Sequence, residues 1–173
     1  LSGSSKVSRY NNLTGNLKPV DNLGAGNSVI RDLHVDKDGR WYLNSQNIFR
    51  TENGELVNWI DLPNEGKASS FHTDSGKEFY IGDLDGNINI LNIENNSTSI
   101  VKTDMDQIKG ITTYKGRIYT LGTYNKSNKV VSYSKNWEDK EEEYEILAES
   151  NPTDLERSMD DRWHVLFTGR NSD

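Results

Sequence analysis

Short apolar and β-branched runs alternate along the chain with turns rich in Asp, Asn and Gly. The clearest set spans Val29 to Trp59. Ile30 to Val35 is a first strand-forming run. Asp36-Lys37-Asp38-Gly39 follows, a turn with Gly where a positive φ costs little. Trp41-Tyr42-Leu43 is a second run, and Asn44 to Asn47 a second polar turn. Ile48-Phe49-Arg50 opens a third strand, Glu52-Asn53-Gly54 a hairpin turn, and Leu56 to Ile60 a fourth strand. The pattern predicts a small antiparallel sheet of four strands.

The pattern recurs. Ser69 to Gly76 matches the first hairpin, and Phe79-Tyr80-Ile81 matches Trp41-Tyr42-Leu43. Ile108 to Ile111, Lys115-Gly116 and Ile118 to Leu121 match again. Asp160-Asp161-Arg162 with Trp163 to Phe167 is a weaker copy. The turn glycines Gly39, Gly76 and Gly116 stand 37 and 40 residues apart. A four-stranded unit repeating at that interval marks a β-propeller blade. The expected blades run roughly 28–62, 67–103 and 107–147. Val7 to Asp21 resembles the third and fourth strands of a blade, and the chain ends after a second strand at Phe167. The expectation is therefore an all-β propeller of four blades, 7–21 completing 155–173 and hiding strand edges. The alternative is a fragment of a larger ring. Residues 1–6 are expected to be a mobile tail.

Within blade two, Asp85-Gly86 is a hairpin turn ahead of Ile88 to Ile93, whose alternation predicts one better-buried face. In blade three, Tyr124 to Asn128 is read as a longer turn and Val130 to Tyr133 as the third strand. Tyr144 to Leu147 is read as the fourth strand. Ser150 to Asp154 is read as the link to the last blade rather than a helix start, because Leu155, Arg157 and Met159 alternate ahead of Trp163.

Composition sharpens the picture in a few places. Hydrophobic residues make up 32% of the 173, a lean core for one domain. Four Trp and eight Tyr carry much of the burial. The net charge of −7 is concentrated in residues 134–161; elsewhere the two signs nearly balance. That disfavours nucleic acid, which calls for a basic stripe. The acidic run Glu138 to Glu145 is read as a solvated turn. There is no Cys, hence no disulfide or thiolate site. No apolar run reaches the ~20 residues that span a bilayer. Leu1-Ser2-Gly3 before a small residue resembles a bacterial lipoprotein processing site, with Ser4 where the lipidated Cys would stand. Asn-Xaa-Ser/Thr triplets occur at Asn12, Asn95, Asn96 and Asn125.

His34 and His72 occupy one place in two blades, each two residues before an Asp (Asp36, Asp74); Thr112 stands there in the third. Gathering at the axis would make a metal site, but no third His aligns. The reading taken is structural, a half-buried imidazole hydrogen-bonded between neighbouring strands. Asp83-Leu84-Asp85-Gly86-Asn87 has the start of a calcium loop, with Glu94 at the twelfth place. Ile88, Ile90 and Leu91 interrupt it as a strand would, so a plain Asp-Gly turn is expected. No phosphate loop and no clustered catalytic set appears, and neither a metal nor another cofactor is expected.

The blades resemble those of tryptophan–aspartate repeat propellers, where a His sits in a structural polar network, although the Gly-His and Trp-Asp dipeptides are absent. Asp36 to Leu43 also resembles part of the Glu-Asp-Xaa-Asp-Gly-Xaa-Leu-Trp-Ile-Gly pattern of two-component sensor propellers. The resemblance implies a fold, and a fold hosts many functions. Geometry supplies the candidate site. The axial strand of each blade begins at a channel mouth, and the residues entering it are Arg31-Asp32, Ser69-Ser70 and Lys109-Gly110. The expected ligand-binding residues are Arg31, Asp32, Ser69, Ser70 and Lys109. The expected function is non-catalytic recognition of a protein or glycan, outside the cell or at its surface. The alternative is a hydrolase or lyase working at the same mouth.

Overall fold

The computed structural model describes residues 6–11, 13–22, 30–35, 40–44, 47–52, 55–62, 67–134, 140–145, 151–157 and 162–168. The predicted turns at 36–39 and 53–54, the link at 63–66 and residues 158–161 lie outside them. Sixteen strands and no helix are found among the described residues. The chain divides into two compact units, Leu1–Gly66 and Lys67–Asp173.

In the first unit, β1 (Lys6–Asn11) and β2 (Asn16–Asn22) form a hairpin. Gly15 turns it at a φ of 68°. The strands β3 (Asp32–Val35), β4 (Arg40–Leu43), β5 (Asn47–Glu52) and β6 (Glu55–Asp61) form a four-stranded antiparallel meander. Trp41 and Arg50 are cross-strand partners, and the guanidinium lies 4.9 Å from the indole centroid. Trp41, Tyr42, Leu43 and Ile48 are among its buried side chains.

The second unit holds two further meanders of the same order. One comprises β7 (Ala68–His72), β8 (Glu78–Asp83), β9 (Asn87–Asn92) and β10 (Ser97–Lys102). The other comprises β11 (Gln107–Tyr114), β12 (Arg117–Tyr124), β13 (Ser127–Ser134) and β14 (Lys140–Glu145). A last hairpin, β15 (Asn151–Arg157) with β16 (Trp163–Thr168), follows. The hydrogen-bonded sheets are not closed into a ring: each terminal hairpin is a two-stranded sheet of its own.

Two apolar clusters glue the second unit together. Tyr80 and Ile88 of one meander meet Ile108, Ile111, Ile118, Val131 and Tyr133 of the next, with Met105 between them. Tyr119, Leu121 and Val130 then meet Leu155, with Trp163 and Val165 against them. The Tyr119 and Trp163 rings lie 4.5 Å apart at 53°. The β11–β14 meander is thus covered on both faces, as propeller blades are.

Several expectations are corrected by the structure. Asn89 was expected on the wetter face of β9, yet it is buried and its amide reaches the Asp83 carboxylate at 3.4 Å. The acidic run is not a turn: Lys140–Glu145 is β14, paired along β13. A charged outermost strand resists edge-to-edge pairing, which removes the conflict between acidity and strand. The turn after Tyr124 is not long either. Asn125 and Lys126 both take positive φ, 47° and 66°, making a two-residue hairpin turn. The segment read as a link is already strand β15 from Asn151.

Candidate functional site

The axial strands share one irregularity. In β7 the register against β8 slips between Ala68 and Ser70, so Ser69 is an extra residue. In β11 it slips between Ile108 and Gly110, which makes Lys109 the extra residue. In β15 it slips between Pro152 and Asp154, around Thr153. In β3, Asp32 is paired with Leu43, and the Arg31 amide also donates to the Leu43 carbonyl, at 2.8 Å. Three axial strands, β7, β11 and β15, therefore enter with a one-residue bulge at the equivalent place, and Arg31 stands just ahead of β3. Bulges bend a strand and re-aim the side chain they carry.

The bulged residues are Ser69, Lys109 and Thr153, and Arg31 precedes the first paired residue of β3. Two of them serve the scaffold with their hydroxyls. Ser69 Oγ lies 3.0 Å from the Gly82 carbonyl and 2.5 Å from the Ile108 carbonyl, so one proton is shared between two strands. Thr153 Oγ1 donates to the equivalent carbonyl, that of Leu166, at 3.3 Å. Lys109 is half-buried, and no described residue forms an ion pair with its ammonium. Arg31 is exposed.

The next position points to the opposite face. Ser70 is 1% exposed and its hydroxyl has no hydrogen-bond partner among the described residues. Its pairing partner is Gly82, where a Cβ would lie 2.3 Å from Ile108 Cγ2. Asp32 and Asp154 occupy the same position and make the same bond, Oδ1 accepting the next residue's amide at 2.8 Å. Burial pushes the Asp154 carboxyl above its ordinary range, and the Leu155 amide opposes that shift.

The structure brings Ser69, Ser70 and Lys109 together on neighbouring axial strands of the second unit; Arg31 and Asp32 lie in the first. Thr153 and Asp154 belong with them and escaped sequence reading, because Ser-Asn-Pro-Thr-Asp reads as a cap or linker. Carrying the repeat register forward from Lys109-Gly110 would have found them.

His72 is half-buried between axial strands. Its Nδ1 is 3.4 Å from Thr112 Oγ1, and its Nε2 lies 3.1 Å from Thr113 Oγ1 and 3.0 Å from Asp74 Oδ1. Thr113 donates to the same Asp74 oxygen at 2.5 Å. This is the structural imidazole anticipated from the repeat. The Asp83 loop is likewise a turn. Asp83 is buried, and its Oδ1 accepts the amides of Asp85 and Asn87 at 2.9 and 2.8 Å. Asp85 pairs with Lys67 and Glu94 with Lys77, so these carboxylates face different partners. Among the described residues, no three His, Asp or Glu side chains are grouped to hold a metal. No described helix is long and apolar enough to cross a membrane.

No known family model and no curated protein matches the chain. Solved structures do. A chain in the crystal structure of a nidogen/laminin complex superposes with a TM-score of 0.69 at 17% identity, over 90% of this chain and 64% of that one. The WD40 β-propeller domain of Doa1 superposes at 0.65 and 15% identity, over 89% and 55%. The computationally designed Ika4 protein superposes at 0.56 and 13% identity, over 88% and 99%. This chain spans less than two thirds of the first two. At such identities the likeness is one of fold.

Proposed function

We infer that this β-propeller repeat protein is a non-catalytic binding module, recognising a protein or a glycan through its loops and the mouth at its axial strands. The observation that carries the reading is the repeated bulge. One backbone device is kept in three axial strands while its side chain varies among Ser69, Lys109 and Thr153, and Arg31 stands at the corresponding place ahead of β3. Where the residue is a hydroxyl, it closes the scaffold. Where it is a cation, no described ion pair consumes it, which leaves Arg31 and Lys109 as ligand contacts for acidic or polar groups. The nidogen/laminin complex, one chain of which is similar in fold, supports a role in interaction. A place outside the cell or at its surface accompanies this reading.

The test is a screen of the purified chain against arrayed glycans and surface proteins, followed by Arg31→Ala and Lys109→Ala. Both variants should keep the wild-type circular dichroism and lose at least about tenfold in affinity, the equivalent of one well-placed charged contact. Unchanged binding in both variants sinks the proposal.

A further inference from the structure

The repeat makes the outermost strands of the three meanders comparable. Among the described residues, β6, β10 and β14 each pair on one side only. An outermost strand leaves a row of backbone N–H and C=O groups facing out, and such edges are ordinarily blunted by charge or by a bulge. Two of the three are blunted by both. In β14 five of the six residues are charged, and the register slips so that Glu141 is an extra residue. In β6 the ends are acidic, Glu55 and Asp61, and Trp59 is the extra residue. The strand β10 has neither device. Its register runs unbroken from Ser97 opposite Asn92 to Lys102 opposite Asn87. Ser97 to Val101 carry no charge, and every residue of the strand but Val101 is exposed.

The hydrogen bonds fix which groups face out. The Thr103 amide donates to the Gly86 carbonyl at 3.3 Å, which extends the β10–β9 register by one pair. Residues of an antiparallel pair alternate between facing the partner strand and facing away from it. Val101 and Ser99 therefore turn their backbone groups to β9, and Thr98, Ile100 and Lys102 turn theirs outward. Ile100 is the central one, and its side chain is 52% exposed. Lys102 is the only charged residue of the strand, and no described residue forms an ion pair with it.

We propose that β10 is a docking edge for an extended segment of a partner protein, which joins this sheet as a fifth strand through Thr98, Ile100 and Lys102. Main-chain donors and acceptors at every second residue are matched by another strand and not by a sugar. The segment is uncharged opposite Ser97 to Val101 and carries an acid opposite Lys102. A second copy offering its own β10 would leave that ammonium unmatched, because β10 holds no acid. The edge lies at the far side of its sheet from the axial strand β7, so the proposal does not rest on the mouth reading above.

Short random peptides displayed on phage and selected on the chain supply the probe, the enriched peptide being made synthetically. It should be an uncharged strand-forming run with an acid at one end. Ile100→Pro removes the central outward N–H at an edge position, where proline is tolerated. It should keep the wild-type circular dichroism and raise the probe's Kd at least about tenfold. Ile100→Thr keeps the N–H and should bind as wild type does. Should Ile100→Pro fail to fold, hydrogen exchange on the wild type decides, because the Ile100 amide should slow when the probe binds. The proposal is overturned if no peptide is enriched, or if the probe leaves exchange at Ile100 unchanged. A peptide lost in Lys109→Ala but kept in Ile100→Pro overturns it as well, and leaves the mouth reading standing. So does a wild-type dimer that Ile100→Pro dissolves, since the occupant would then be a second copy.

Discussion

Glycines show how finely the backbones fit. At Gly122 a Cβ would sit 1.8 Å from the Gln107 carbonyl oxygen, which is backbone and cannot swing away. At Gly116 nothing lies within 4 Å, but φ is +77°. Gly122→Ala should therefore cost about 3 kcal/mol, through forced strand separation. Gly116→Ala should cost only about 1 kcal/mol, through the left-handed conformation alone. Urea titration of both variants checks the order; equal losses would mean the strands yield. Asp154 offers a pH-dependent counterpart. A carboxyl whose value is raised by folding holds its proton more tightly in the native chain. Its contribution is favourable in acid, below the unfolded value, and is lost as the pH rises through the raised one. Asp154→Asn keeps an oxygen for the Leu155 amide and removes the buried charge. It should be more stable than wild type at neutral pH, and the gap should close on acidification. A gap that widens in acid would refute this account of the shift.

At the level of elements, the bulge and the imidazole solve one problem twice. Axial strands of successive blades approach closely but belong to different sheets, so the backbone ladder cannot link them. Ser69 links them through the Ile108 carbonyl, and His72 links them through Thr112 and Thr113. Removing the imidazole in His72→Ala should cost about 1–2 kcal/mol, the worth of a small hydrogen-bonded network. It should lower the denaturation midpoint without changing the slope. A midpoint within error of wild type would show that the threonines and Asp74 suffice without it. Tyr80 sits beside this network with its hydroxyl bonded to Glu78. Burial, then that carboxylate, raises its pKa, so the phenol stays protonated across the physiological range.

At the scale of the whole chain, one plan repeats in three four-stranded meanders and two hairpins. Much of this architecture was legible in the amino acids. Hydrophobic alternation and Asp/Asn-Gly turns set the strands of three blades to within a few residues, because side-chain period and turn chemistry are local properties. The shared place of His34, His72 and Thr112 was legible for the same reason. The bulge was not. Polar pairs such as Arg31-Asp32, Ser69-Ser70 and Lys109-Gly110 marked the spot, but a register slip exists only between two paired strands. Nor could local pattern show that Asn89 is buried, that Lys140–Glu145 is a strand, or that Thr153 belongs with Ser69. Those depend on which surfaces the neighbouring sheets cover. Sequence alone determined the repeating unit; packing between neighbouring sheets decided which of its polar residues are structural.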